Sequence, residues 1–217
     1  MTKTRANKIL AILKSVFSMP SWVSSARNPF QTLIVTIISQ NMTSKNAGEA
    51  FGKLSEKYQI TPEALANADV KKIEEALRIA GLYRNKAKTI VKISRIVLRE
   101  FDGSLDFVYS MPFEEARKTL MSLPGVGPKT TDVVLLFSAR KHTIPVDTHV
   151  NRVSKRLGLT PEKGGYEEVR MSLQSLFAPE DYLAVHVLLI ALGRRYCRAL
   201  NPICIQCSVG ELCPSKR

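Results

Sequence analysis

Apolar residues recur at helical spacing through nearly all of the 217-residue chain, and no stretch shows the clear alternation of a half-buried strand. Helix-start signals accompany this periodicity, because a capping side chain followed by proline presets the first helical turn. Three such signals occur, at Asn28-Pro29, Thr61-Pro62 and Thr160-Pro161. The sequence therefore predicts an all-α fold of about ten helices joined by short loops.

The N-terminal segment is predicted to be an amphipathic helix whose apolar face carries Ile9, Leu10, Leu13 and Val16. No Asp or Glu precedes Glu49, so this start also has the acid-poor composition of an organellar transit peptide. The helical periodicity favours the first of these two interpretations.

The charge balance points to a polyanionic partner. Thirty-two Lys and Arg against 19 Asp and Glu give a formal net charge of +13, which suits nucleic acid or an anionic membrane surface. The longest apolar run, Leu183 to Leu192, contains His186 and is shorter than the roughly 18–20 residues needed to span a bilayer. We therefore expect this run to be a buried core helix, and no membrane partner.

All four cysteines lie between Cys197 and Cys213, with none in the preceding 196 residues. Disulfides would be expected to tie distant parts of the chain together, whereas clustered cysteines favour metal ligation in a reducing compartment. The spacing Cys197-x6-Cys204-x2-Cys207-x5-Cys213 allows four thiolates to surround one centre. Zinc and an iron–sulfur cluster are both bound by four cysteines.

A glycine-rich hairpin is predicted between two helices at Leu123-Pro124-Gly125-Val126-Gly127-Pro128-Lys129-Thr130. Two glycines one residue apart leave backbone amides uncovered beside the positive end of the following helix. Together these groups form a binding site for a phosphate. An ordinary turn between two helices is the simpler interpretation of the glycines alone. A nucleotide P-loop is excluded, because Pro128 separates Gly127 from Lys129 and the four-residue spacer is missing.

The complete string resembles the helix-hairpin-helix motif of the endonuclease III family of DNA glycosylases. The resemblance extends from about Asn28 to Cys213 and implies that Lys129 is the nucleophile. It also implies DNA contacts by Gly125, Val126, Gly127 and Thr130. A lysine amine attacks a sugar carbon only when it is neutral, so a place in the first turn of a helix suits the chemistry.

Two further segments resemble the family's functional segments. The run Val146-Asp147-Thr148-His149 resembles the segment that holds the catalytic aspartate, which implies that Asp147 is catalytic and that His149 contacts DNA. A fixed carboxylate stabilises the positive charge that develops on the sugar when the glycosidic bond breaks. From the residues alone, Asp147 is expected to be a helix N-cap. The resemblance also implies that the cysteine loop holds a [4Fe–4S] cluster, with zinc as the alternative.

The family resemblance assigns two residues to the gap left by an extruded nucleotide. Gln40 matches the glutamine that fills this gap, and Leu82 matches the leucine that wedges into the opposite strand. Extrusion costs a few kcal/mol of unstacking, so a plug is needed. Among the departures from the family pattern, Thr131 and Asp132 stand where Ala-Asn is commoner, and we expect them to alter the pocket wall.

The resemblance implies an all-α protein of two helical subdomains flanking a DNA-binding cleft. Residues 22–140 form a helical barrel with the hairpin, and residues 1–21 with 141–217 form the domain that carries the cysteine loop. The implied function is a bifunctional DNA glycosylase and abasic-site lyase of base excision repair, acting on damaged, in particular oxidised, pyrimidines. The alternatives are a mismatch uracil or thymine glycosylase and a non-enzymatic DNA-binding module. We expect a monomer that binds damaged double-stranded DNA in the cytoplasm or nucleoid of a prokaryote, or in the nucleus or mitochondria of a eukaryote.

Overall fold

A computed structural model describes residues 2–23 and 27–216. These residues form helices, turns and loops without any β-strand, which confirms the predicted all-α fold. The chain divides into two compact units, a central unit of Ala26–Lys141 and a terminal unit of Met1–Ser25 with His142–Arg217. The boundaries predicted from the sequence lie after residues 21 and 140.

The central unit contains eight α-helices among its described residues. They are α2 (Pro29–Ser39), α3 (Ser44–Lys57), α4 (Pro62–Ala66), α5 (Val70–Ala76), α6 (Tyr83–Glu100), α7 (Phe107–Ser110), α8 (Phe113–Met121) and α9 (Pro128–Phe137). Helix α2 lies at the centre of this unit, where it packs against α3, α6 and α9.

Helix α2 is apolar on nearly every side, and eight of its eleven residues are buried. Its start follows the predicted signal, because Oδ1 of Asn28 accepts a hydrogen bond from the amide of Gln31 at 2.8 Å and Pro29 begins the helix. Leu33, Ile34 and Ile37 are at most 1% exposed. Full burial of each such side chain contributes about 1.5–3 kcal/mol, so the core fixes the position of the C-terminal end of α2.

The terminal unit contains four α-helices among its described residues: α1 (Lys3–Val16), α10 (Thr148–Arg156), α11 (Tyr166–Leu176) and α12 (Tyr182–Arg195). Short 3₁₀ turns occupy Ser21–Val23, Pro179–Asp181, Cys204–Gln206 and Gly210–Leu212. Helix α12 packs against α1 and α10 and is the core helix that the sequence predicts. In α1, Ile9, Leu10 and Leu13 are buried as predicted, but Val16 is 39% exposed because it ends the helix.

Two of the three predicted helix starts are confirmed, and the third is wrong. Thr61 caps α4, as predicted. Thr160 does not cap a helix, since its hydroxyl is buried within hydrogen-bonding distance of the Ser154 hydroxyl (3.1 Å). The next helix begins instead at Tyr166, where the side chain of Glu168 accepts a hydrogen bond from the amide of Gly165 at 2.8 Å. The Thr160 hydroxyl therefore serves packing within the terminal unit.

Among the described residues, no single helix is both long and apolar enough to cross a membrane. In the same part of the chain, one pair of helices, Tyr166–Leu176 and Pro179–Arg195, reaches the required length and composition together, and the chain bends by 118° between them.

Candidate active site

The glycine-rich hairpin joins α8 to α9, as the sequence predicts. Gly125 has φ +73°, and a Cβ atom there would lie 3.2 Å from Cγ2 of Thr89, so both the backbone and the space favour glycine. The turn is closed by a hydrogen bond of 3.2 Å from the amide of Val126 to the carbonyl of Leu123. Val126 is 7% exposed and anchors the hairpin in the core of the central unit.

The N-terminal end of α9 follows directly from this hairpin. Its N-cap is Gly127, which has no side chain to accept hydrogen bonds from the first-turn amides, and a Cβ atom there would meet no other atom within 4 Å. Pro128 is the first helical residue, a position where its missing N–H costs nothing. The amides of the first turn therefore donate no hydrogen bond to an N-cap side chain, as suits a phosphate-binding helix start.

Lys129 is the second residue of α9 and is half-buried. Its backbone position is fixed by the Pro128 start and by the hydrogen bond from the Thr131 amide to the Gly127 carbonyl (3.0 Å). The hairpin therefore holds a primary amine one residue inside a helix N-terminus.

Gln40 lies against the same hairpin. Its Nε2 donates hydrogen bonds to the carbonyl of Gly125 (3.2 Å) and to the hydroxyl of Thr130 (3.4 Å). Gln40 is the C-cap of α2, so the buried central helix delivers this side chain to the hairpin. The structure thus brings Gln40 together with two residues of the hairpin motif, Gly125 and Thr130.

Leu82 has the properties of an exposed apolar tip. It precedes α6 in the left-handed backbone conformation, with φ +59° and ψ +28°, and its side chain is 63% exposed. A left-handed leucine is strained, and strain of this kind is maintained only when the surrounding structure imposes it. The exposed position is compatible with the wedge role implied by the family resemblance.

Thr131 and Asp132 do not face a pocket, so the expectation that they alter its wall is wrong. Both side chains are fully buried in the central unit. The Asp132 carboxylate accepts a hydrogen bond of 2.9 Å from Nε of Arg117, and this buried ion pair joins α9 to α8. The aspartate therefore fixes the two helices of the hairpin motif to each other.

Asp147 lies in the terminal unit as the N-cap of α10. Its Oδ1 accepts a hydrogen bond of 2.7 Å from the amide of Val150, which confirms the capping role. The carboxylate is only half-buried, and accepting the cap hydrogen bond leaves its negative charge in place. The same group can therefore both cap α10 and act electrostatically outside it.

His149 is packed tightly between α10 and α12. Its Nδ1 lies 3.1 Å from the Arg152 guanidinium. Burial lowers the pKa of His149, and the charges of Arg152 and Arg194 act in the same direction against the opposing effect of Asp147. The packing requires Gly193, because a Cβ atom there would lie 2.9 Å from Nδ1. His149 thus presents a neutral N–H donor.

The four cysteines line one cavity of about 510 Å³ in the terminal unit. None of the four forms a disulfide, and all are half-buried. Burial raises the pKa of Cys207 and Cys213, with smaller contributions from the neighbouring thiols. The cavity greatly exceeds the roughly 30 Å³ that one water molecule occupies. Four thiols therefore surround a space suited to a group of several atoms.

The cysteine donor set is one that both metal alternatives use. Across residues 2–23 and 27–216, no three His, Cys, Asp or Glu side chains are arranged to hold a metal ion. A tetrahedral zinc ion needs its ligands within about 2.3 Å of one point, whereas a multi-iron cluster spaces its four ligands more widely. Four thiols lining one cavity fit the donor set and the size of a cluster of several atoms.

Arginines from outside the loop hold the cysteine cavity in place, and the sequence analysis missed them. The guanidinium of Arg156 donates to the Sγ atom of Cys197 (3.6 Å) and to the carbonyl of Arg198 (2.6 Å). Arg152 donates to the carbonyl of Cys197 at 3.0 Å, and Arg5 donates to the carbonyl of Leu212. Hydrogen bonds of this kind orient ligands and stabilise negative charge on sulfur.

Comparison with known proteins assigns the chain to a family. Residues 34–179 match the HhH-GPD superfamily of base excision DNA repair proteins. Endonuclease III of Sulfolobus acidocaldarius is 38% identical over 188 residues, covering 86% of this chain and 82% of that protein. Endonuclease III of Thermotoga maritima is 34% identical, covering 86% and 83%.

A solved structure gives the same assignment. It is described as a trapped endonuclease III–DNA covalent intermediate, and it superimposes with a TM-score of 0.86 at 33% identity, covering 100% of this chain and 97% of that one. A thermostable thymine-DNA glycosylase shares the fold, with a TM-score of 0.75 at 21% identity. The chain is therefore a member of the endonuclease III family within the HhH-GPD superfamily of base excision DNA repair proteins.

Proposed function

We propose that Lys129 is the nucleophile of this base excision repair DNA glycosylase/lyase and that the enzyme acts on oxidised pyrimidines in duplex DNA. The observation that carries the proposal is the place of Lys129 in the first turn of α9, directly behind the Gly127 hairpin. An endonuclease III that is 33% identical to this chain has been trapped as a covalent intermediate with DNA. This relative supports a lysine nucleophile in the present chain.

The reaction follows from the chemistry of a neutral amine. Nζ of Lys129 attacks C1′ of the extruded nucleotide, the glycosidic bond breaks, and the base leaves with the bonding electron pair and takes up a proton. The C1′–O4′ bond of the sugar then opens as the nitrogen loses a proton and O4′ gains one, which forms the Schiff base. The Schiff base acidifies C2′, and loss of a C2′ proton breaks the C3′–O bond and releases the downstream strand with its 5′ phosphate. Water then hydrolyses the Schiff base and restores Lys129. In this scheme the Asp147 carboxylate stabilises the positive charge on the sugar.

Binding of duplex DNA rests on groups that do not depend on its sequence. Our candidate phosphate-binding site is the uncovered backbone at Gly125, Val126 and Gly127, with Thr130 beside it. A candidate hydrogen-bond donor from the terminal unit is the N–H of His149. The net charge of +13 supports attraction to DNA. Gln40 and Leu82 are our candidates for filling the gap that an extruded nucleotide leaves.

We assign a [4Fe–4S] cluster to Cys197, Cys204, Cys207 and Cys213. The four cysteines that line a common cavity and the membership of the endonuclease III family support this assignment. A bound cluster supplies rigid cross-linking of the loop. The residues around it then hold a basic surface in place for DNA, with Arg156 bonded to both a ligand and the loop backbone. We further propose that the protein acts as a monomer in the cytoplasm or nucleoid of a prokaryote, or in the nucleus or mitochondria of a eukaryote.

The cluster assignment predicts a metal content. We expect purified protein to contain about four irons per chain and to be yellow-brown. Cys204→Ser should lose iron, colour and DNA affinity together, because one of the four ligands and the loop geometry are lost. The control is Ser208→Ala, which removes a buried hydroxyl without a hydrogen-bond partner and should retain the iron. Stoichiometric zinc in colourless, active protein prepared anaerobically with sufficient iron would contradict the assignment.

The substrate proposal is tested with a panel of lesions. Oxidised pyrimidines have lost planarity and stack poorly, so their extrusion costs less than that of a normal base. We expect excision of thymine glycol and dihydrouracil with little dependence on the opposite base, and nicking of a plain abasic site. Gel assays on these duplexes should include U·G and T·G mismatches. Cleavage of a mismatch with thymine glycol left intact would reject the proposed substrate, and nicking of the abasic site alone would reduce the enzyme to a lyase.

A further inference from the structure

Lys86 is a buried cation in the central unit that the proposed reaction does not use. Only 5% of this residue is exposed, because it lies on the buried face of α6 with Ile90, Ile93 and Val97. Lysine is almost never buried unless its charge is paired or hydrogen-bonded. The position of Lys86 therefore needs an explanation.

Each N–H donor of the Lys86 ammonium group has an acceptor at or just after the end of α2. Its Nζ donates to the carbonyls of Ile38 (2.8 Å) and Gln40 (2.7 Å) and lies 3.6 Å from Sδ of Met42. The three N–H donors of an ammonium thus meet three acceptors. Burial lowers the pKa of Lys86, and these acceptors oppose that effect by stabilising the charged form.

The location of these acceptors explains the burial of a charge. The last turn of α2 contains no basic residue of its own, although cations stabilise the negative end of a helix dipole. Lys86 supplies that cation from α6. The chain then leaves the helix through Asn41, which has φ +56°, so the ammonium group holds the backbone at the point where Gln40 is directed to the hairpin.

The same residue is also bonded to Leu82. Its backbone amide donates to the Leu82 carbonyl at 3.1 Å, which is the first hydrogen bond of α6. One residue is therefore bonded through its side chain to Gln40 and through its backbone to Leu82. These are the two residues that we assign to the gap left by an extruded nucleotide.

We infer that Lys86 is a positioning residue that fixes the position of Gln40 relative to Leu82, so that both side chains enter the duplex together when a nucleotide is extruded. The inference rests on the proposed function, since it assumes that Gln40 acts as a plug. A plug held rigidly before DNA binds loses little entropy on insertion, whereas a loosely held one inserts less often. The competing interpretation is that Lys86 only stabilises the end of α2.

The experiment separates positioning from stability by a double-mutant cycle. Lys86→Met removes the charge and all three donors with little change in side-chain length, and it is combined with Gln40→Ala. Insertion is measured by the fluorescence of 2-aminopurine placed opposite a tetrahydrofuran abasic analogue, which does not require base excision. Single-turnover excision of thymine glycol is measured in parallel, and melting temperatures are recorded. Lys72→Met, the same change at an exposed position of α5, is the control.

We expect Lys86→Met to lower the fluorescence response and to slow excision by roughly 10- to 100-fold, the scale of a small misplacement. In the Gln40→Ala background the same change should have less than about a twofold further effect, because the residue that Lys86 positions is already missing. If Lys86→Met does not fold, Lys86→Gln, which keeps one donor pair, is used in the same cycle.

Several results would overturn the inference. An equal loss from Lys86→Met in both backgrounds would show a purely structural role, as would a normal fluorescence response in the folded single variant. A normal response in Gln40→Ala would remove the plug through which Lys86 is inferred to act. Failure of the unaltered protein to excise any lesion, with its fluorescence response intact and the cycle non-additive, would instead reject the proposed function and support the positioning role.

Discussion

We expect Lys129→Ala to abolish both borohydride trapping on abasic-site DNA and strand nicking. The reason is covalent: the Schiff base that borohydride reduces contains the lysine nitrogen, and alanine provides no nucleophile. Binding of undamaged duplex should remain nearly unchanged. The hairpin amides and the helix start depend on Gly125, Gly127 and Pro128, which the substitution leaves in place.

The measurement is the yield of reduced covalent adduct on a denaturing gel, with binding followed separately on undamaged duplex. Lys72→Ala, at an exposed position in α5 of the same unit, is the control and should trap normally. Full trapping by Lys129→Ala would exclude Lys129 as the nucleophile. Loss of trapping together with loss of duplex binding would show that the substitution disturbs the hairpin itself, and Lys129→Gln would then be the variant to compare.

Local sequence signals predicted a helix start correctly where a nearby side chain in the sequence accepts the hydrogen bond of a first-turn backbone amide. The Asn28-Pro29 start succeeded because the Asn28 side chain accepts from an amide three residues later, an interaction that the sequence contains completely. The Thr160-Pro161 start failed because the Thr160 hydroxyl found a buried partner in Ser154 instead. A cap signal is therefore decisive only when no tertiary contact competes for the same side chain.

The candidate site shows the same limit. The hairpin and the cysteine loop are contiguous motifs, so their residues could be selected from spacing. Lys86 and Arg156 act on carbonyls more than 40 residues away in the chain, and no local pattern specifies such partners. For Lys86 one signal was present: it lies four residues before Ile90, and so on the apolar face of α6, where a lysine is out of place unless its charge is paired.

Asp132 illustrates the opposite error. With Thr131, it stands where Ala-Asn is commoner in the family, and this departure suggested a change in the pocket wall. The buried ion pair with Arg117 shows that this carboxylate faces inward to α8. A departure from a family pattern next to a nucleophile therefore does not establish that the departing residue reaches the substrate.

We expect Asp147→Asn to yield a folded protein whose glycosylase rate is lower by roughly 10²-fold or more, the scale of losing a preorganised electrostatic contact. Asparagine retains an oxygen that can accept the hydrogen bond from the Val150 amide, so the cap of α10 should survive. Only the negative charge is removed. The substitution therefore separates the capping role, which the structure shows, from the catalytic role, which we propose.

The chain offers a matched control for this substitution in Asp69, the N-cap of α5, whose Oδ1 accepts from the Lys71 amide at 2.8 Å. Asp69→Asn makes the same chemical change at an exposed cap of the other unit and should leave single-turnover excision unchanged. Asp147→Ala provides the complementary comparison, because it removes cap and charge together and should cost about 1 kcal/mol of stability. The decisive quantity is the ratio of the excision rate of Asp147→Asn to that of Asp69→Asn. The two variants are compared at one temperature, after melting curves have shown that their melting temperatures match. A ratio near one would show that Asp147 is only a helix cap and that another residue stabilises the positive charge at C1′.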